Sequence, residues 1–194
     1  MTWTDVSLTV AAYALVAGFF VTERWARDGR TKDMGRAATD RGTTVAISVV
    51  MGAGFVLLLV APVLNGLGVG RLAVWWLAGL GLALQVVGLV VRVLALRTLG
   101  RFFTRTLQHV EGQTLVTSGI YRRVRHPGYL ADLLLFIGAA LAVHNAIVLA
   151  VVVVSFVGAY AFRIVTEERM LTTIFGSEYT AYQSSSWRLI PFVV

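Results

Sequence analysis

The chain has 194 residues, 57% of them hydrophobic and only 14% charged, with a formal net charge of +7 and a mean hydropathy of +0.77. A soluble domain carries roughly a quarter charged residues, so the composition is that of one membrane domain covering residues 1–194. No cysteine is present, which excludes disulfide frameworks, thiolate metal sites and cysteine nucleophiles.

In chain order, the first apolar run covers residues 6–21. Asp5 precedes it and the positive charges follow it, so it reads as an anchor and not as a cleavable signal. A loop carrying Arg24, Arg27, Arg30, Lys32, Arg36 and Arg41 leads to a second run at 44–64 and a third at 72–91. Each is long enough to cross about 30 Å of hydrocarbon. Arg92 closes the third run, where its stem can snorkel to the interface. Gly52, Gly54, Gly79, Gly81 and Gly88 predict close helix packing, and Gln85 an interhelical hydrogen bond. The next loop holds Arg97, Arg101, Arg105, Arg122, Arg123 and Arg125, with a turn at Thr117-Ser118-Gly119.

The apolar region 129–162 is too long for one span and breaks at Val143-His144-Asn145, which predicts a helical hairpin. The expected fold is an all-α integral membrane protein of about five transmembrane helices. The first three fall in residues 1–98; the loop, the hairpin and a C-terminal segment fall in 99–194. The arginine distribution places the N-terminus outside and both large loops and the C-terminus in the cytoplasm. The positive charge is thus a topology signal, not a nucleic-acid footprint, and anionic lipid headgroups are its natural partner. His109, His126 and His144 show no ligand spacing, so no metal site is expected.

Two constellations carry chemistry. In Arg125-His126-Pro127-Gly128-Tyr129, Pro127 suits the first position of a helix, and His126 is pushed to the cap. Free backbone N–H groups there suit an anion. Tyr129 and Asp132 follow within a turn of one another. In the second constellation Arg163 and Glu167 are four apart on one helical face, which predicts an ion pair, with Glu168 beside them. Two acids at the mouth of a bundle can hold a cationic ligand. Phe175-Gly176 predicts a helix end. The aromatic tail through Tyr179, Tyr182 and Trp187-Arg188-Leu189-Ile190-Pro191 is expected to fold back as a lid.

At these residues the chain resembles the isoprenylcysteine carboxyl methyltransferase family and its phospholipid N-methyltransferase relatives. The matching series runs from Leu99-Gly100-Arg101 through Leu115-Val116-Thr117-Ser118-Gly119-Ile120-Tyr121 and Arg125-His126-Pro127-Gly128-Tyr129. It continues through Glu167-Glu168, Leu171, Phe175-Gly176, Tyr179 and Tyr182 to Arg188-Leu189-Ile190-Pro191. The resemblance implies a membrane enzyme using S-adenosyl-L-methionine on a lipophilic or lipid-modified acceptor. It implies that His126 and the start of the fourth helix meet the cofactor's carboxylate, with Arg125 and Pro127 also among the cofactor-binding residues. Leu115, Val116, Tyr121 and Tyr129 would lie against its adenosyl group, and Glu167 and Glu168 would favour its cationic side. Gln113 stands where many relatives carry a histidine that contributes to this site.

Methyl transfer from a sulfonium needs orientation more than covalent help. Arg163 could clamp an acceptor carboxylate, with Glu167 fixing it; an isoprenoid carboxylate needs no base. A hydroxyl, thiol or amine acceptor would need one, from Glu167, Asp132 or His126. Two other readings stay open: a non-enzymatic membrane module or transporter, and a membrane reductase using a nicotinamide cofactor.

Overall fold

A computed structural model describes residues 3–27, 40, 42–74, 76–103, 112 and 114–192. The described residues form six α-helices: α1 (Trp3–Arg27), α2 (Thr43–Gly66), α3 (Trp76–Leu99), α4 (Pro127–Ala142), α5 (Ala146–Phe175) and α6 (Ser177–Ser185). Four of them, α1, α2, α3 and α5, are long and apolar enough to cross a membrane. The helix α4 is apolar but has only 16 residues, about 24 Å at 1.5 Å per residue. The expected five spans therefore resolve into four full-length helices and one shorter, largely buried helix in a hairpin with α5.

The third helix differs most from its sequence reading. It is described from Trp76, and Leu72, ahead of it, donates its N–H to the His144 carbonyl of the α4–α5 turn at 2.8 Å. It runs on to Leu99, which leaves Arg92 inside the helix and 6% exposed. Arg92 does not snorkel to an interface, because two carboxylates meet it within the bundle.

The interior glycines divide into two groups. A Cβ on Gly138 would come within 2.5 Å of the Gly81 carbonyl oxygen, and one on Gly88 within 2.9 Å of that of Ala131. These glycines let α3 and α4 touch backbone to backbone. Gly54 receives the Phe156 ring, 2.8 Å from where its Cβ would stand. Gly52 and Gly79, expected to pack likewise, face open space. Between the helices, Phe19, Leu58, Leu135, Phe136, Val152 and Phe156 form one buried core. Gln85, fully buried, donates to the Ala12 carbonyl at 3.1 Å, the interhelical bond its sequence position suggests.

At one end of the bundle Asn145 organises the expected turn. Its Oδ1 accepts from the N–H groups of Ile147 and Val148 at 3.1 Å each, capping α5. Its Nδ2 donates to Asn65 Oδ1 and the Val69 carbonyl, both at 2.9 Å. That end is tied shut. The functional groups converge on the other.

Candidate functional site

Pro127 begins α4 and His126 occupies its N-cap, as the motif predicts, but the histidine side chain makes no capping bond. It turns instead to the acids of α5: Nδ1 lies 3.4 Å from Glu167 Oε2, and Nε2 lies 3.3 Å from Glu168 Oε1. Burial disfavours the imidazolium, yet the hydrogen bonds and charges of Glu167 and Glu168 outweigh it and raise the His126 pKa above its ordinary value. The His126 ring stacks on Tyr129 with centroids 5.5 Å apart and planes within 9°.

The expected Arg163–Glu167 pair is mediated by a third residue. The Tyr129 hydroxyl donates to Glu167 Oε2 at 2.6 Å and accepts from Arg163 Nε at 2.9 Å. Arg163 Nη1 is directed to the start of α2, where Asp40, Thr43 and Thr44 meet it.

Glu168, 6% exposed, gathers the tail. Arg125 Nε donates to its Oε1 at 2.9 Å, and Arg188 Nε to its Oε2 at 3.1 Å. Arg125 also donates from Nη1 to the carbonyls of Gln183 and Ser186. The tail then runs beside the motif: Arg125 N–H donates to the Trp187 carbonyl at 2.8 Å, and Trp187 N–H to that of Arg123 at 2.9 Å. The fold-back expected of the aromatic tail is present. Tyr182 donates to the Tyr121 carbonyl at 2.5 Å, and burial pushes its phenol up to about 12. The Tyr179 phenol is raised further by burial, with Glu168 and Glu167 adding to the effect.

These groups surround one open cavity of about 1290 Å³ including its mouth. Of the sequence-predicted residues, Leu115, Val116, Tyr121, Arg125, His126, Tyr129, Arg163 and Glu167 line it. Pro127 and Glu168 stand behind that lining, starting the helix and fixing the basic side chains. Gln113 lies outside the described residues.

Sequence reasoning named Asp132 as a candidate base but missed the second charged group it belongs to, which lines the same cavity. Arg92 of α3 pairs with Glu23 of α1 and lies 3.4 Å from Asp132 Oδ1 of α4, while Tyr160 of α5 donates to Asp132 Oδ2 at 2.7 Å. Arg92 also stands over the Phe19 and Phe103 rings at 5.3 and 5.5 Å. The signal was available: Glu23 and Arg92 each follow an apolar run, where charge is costly unless partnered. Phe19, Ile47 and Met51 complete an apolar wall beside these charges. The cavity thus joins an acid- and arginine-rich face to a hydrocarbon-like one.

Known methyltransferases resemble this chain in sequence and in fold. The family model for isoprenylcysteine carboxyl methyltransferases matches residues 81–173. Protein-S-isoprenylcysteine O-methyltransferase A of Arabidopsis thaliana is 38% identical over 124 residues, which cover 61% of each chain. The Tribolium castaneum protein-S-isoprenylcysteine O-methyltransferase is 31% identical over 126 residues, covering 64% of this chain and 45% of that one. A solved structure of the eukaryotic intramembrane Ras methyltransferase superposes with a TM-score of 0.67 at 25% identity, covering 97% of this chain and 68% of that chain. The chain spans less than two thirds of the length of the Arabidopsis relative. Its long apolar helices and this shared intramembrane fold make it a multi-pass membrane protein.

Proposed function

From this kinship with the isoprenylcysteine carboxyl methyltransferases, we propose that the chain transfers a methyl group from S-adenosyl-L-methionine to a lipid-like acceptor, an S-isoprenylcysteine carboxylate. The reaction would occur at the cytoplasmic face, with the N-terminus outside. The observation that carries this reading is the cavity itself. His126, Tyr129, Arg163 and Glu167 form one connected polar wall of a cavity that apolar Phe19, Ile47 and Met51 also line.

The residues present fit such a cofactor. Among the described residues, Tyr179 Oη and Arg92 Nε are buried without a hydrogen-bond partner, and both residues line the cavity. Each such atom costs about 1–3 kcal/mol when left unpaired, which a polar ligand can offset. Leu115, Val116 and Tyr121 offer a shelf for an adenosyl group, with Gln113 next to them in sequence. The start of α4, with Arg125, His126 and Pro127, would face the carboxylate. Glu167, with Glu168 behind it, would face the cationic side.

When bound, S-adenosyl-L-methionine supplies a methyl group activated by its sulfonium. The chain's own residues supply orientation and exclude water. A carboxylate acceptor is ionised at neutral pH, so no general base is required. Arg92 and Arg163 place two buried guanidiniums on the cavity wall, where an acceptor anion can be held against them. Tyr129, fixed by Arg163, holds Glu167 in place. The apolar wall suits the isoprenoid, which enters from the bilayer while the cofactor enters from water.

The test is radiolabelled methyl transfer to S-farnesylcysteine in detergent or proteoliposomes, paired with S-adenosylhomocysteine binding. Binding and transfer together support the proposal. Binding without transfer rejects the acceptor class, and neither rejects the methyltransferase reading.

A further inference from the structure

Asp40 lies before α2, outside the stretch that the family model matches, and is 5% exposed. The N-cap of α2 is Gly42, which has no side chain to cap with; Asp40 Oδ2 accepts from the Thr44 backbone N–H at 3.1 Å and so satisfies a first-turn N–H in the manner of a cap. Its Oδ1 accepts from Thr43 Oγ1 at 2.9 Å and Thr44 Oγ1 at 2.8 Å. The same Oδ1 receives Arg163 Nη1 at 3.1 Å, from a residue 123 positions away on α5. Thr43 and Thr44 place their hydroxyl oxygens 2.8 and 2.9 Å from that nitrogen as well. Three oxygens from the α2 start therefore hold one edge of the guanidinium. The Nε of the same planar group is left pointing at Tyr129. A guanidinium is rigid, so fixing one edge fixes the other.

We propose that Asp40 is a positioning residue for the reaction: with Thr43 and Thr44 it sets the Arg163 plane so that Nε meets Tyr129 and Tyr129 meets Glu167. Capping alone would need only Oδ2 on the Thr44 N–H. The convergence of Oδ1 and two hydroxyls on a buried arginine of another helix goes beyond a cap. It also wires the cavity's α2 wall, which includes Thr44, Ile47, Ser48 and Met51, to the acid pair on α5. The inference rests on the methyltransferase reading above.

The experiment measures turnover on S-farnesylcysteine and S-adenosylhomocysteine affinity in Asp40→Ala, Arg163→Lys and the double variant. Loss of a buried charged hydrogen bond costs turnover about tenfold in Asp40→Ala, with affinity for S-adenosylhomocysteine held within about threefold. In the Arg163→Lys background the same substitution adds less than about threefold, because the group it positions is gone. Thr43→Val leaves the cap on Thr44 intact and lowers turnover in the same direction by a smaller factor. Equal losses in both backgrounds, an affinity loss matching the turnover loss, or unchanged turnover in Thr43→Val overturns the proposal. Absence of transfer by the unsubstituted protein overturns the methyltransferase reading itself, and this inference with it.

Discussion

The Tyr129 hydroxyl sits between Arg163 and Glu167, accepting from one at 2.9 Å and donating to the other at 2.6 Å, so a residue of α4 separates two α5 side chains whose spacing would otherwise pair them. Removing this hydroxyl leaves both charged groups short of a partner. Tyr129→Phe is expected to cost about 2 kcal/mol of stability and to lower turnover at least about tenfold. Thermal unfolding in detergent and a methyl-transfer assay check the two effects separately.

His126 gives the site a pH dependence whose sign follows from its partners. Its folded pKa is raised above the ordinary 6.5, because Glu167 and Glu168 outweigh the burial that opposes its charge. The stabilisation is therefore fully present below about 6.5 and is lost as pH rises through the raised folded value. The unfolding temperature should fall as pH increases across that window. In His126→Gln, which cannot titrate, the same pH series should show a shallower fall.

The α3–α4 contact has no room for a methyl group. Gly138→Ala would drive a Cβ to within 2.5 Å of the Gly81 carbonyl oxygen, and overpacking of this kind costs about 1–3 kcal/mol or more. Gly52→Ala, with nothing within 4 Å, should unfold at the temperature of the unsubstituted protein or slightly above it. Similar losses in both variants would contradict the packing described.

The buried Arg92 holds Glu23 and Asp132 together from three different helices. Arg92→Ala leaves carboxylates without their cation and should destabilise by about 3–5 kcal/mol. Glu23→Gln keeps a hydrogen-bond acceptor and should cost less. Denaturation of the two variants side by side checks the order.

The residues that could be read from sequence act through local rules. Pro127 starts α4 because its ring fits the first helical position, Asn145 breaks the hairpin because its side chain caps α5, and Gly176, at φ 54°, ends α5. What could not be read depends on contacts across the chain. Arg92 looks like a snorkelling terminus until Glu23 and Asp132 are brought to it. His126 looks like a side-chain cap until α5 offers two carboxylates. The role of Tyr129 between Arg163 and Glu167 requires the α4–α5 hairpin to close, and Asp40 meets Arg163 only through the α2–α5 packing. Periodicity gives the helices; it does not say which buried charge each will find.

The most direct test of the account is calorimetric titration of the purified, detergent-solubilised protein with S-adenosylhomocysteine, with Gly52→Ala as a folded control. Saturable binding is expected in the unsubstituted protein and the control, and is expected to disappear in both His126→Ala and Glu167→Ala. No saturable binding by the folded protein, or undiminished affinity in both variants, would contradict the assignment of this cavity as the cofactor site.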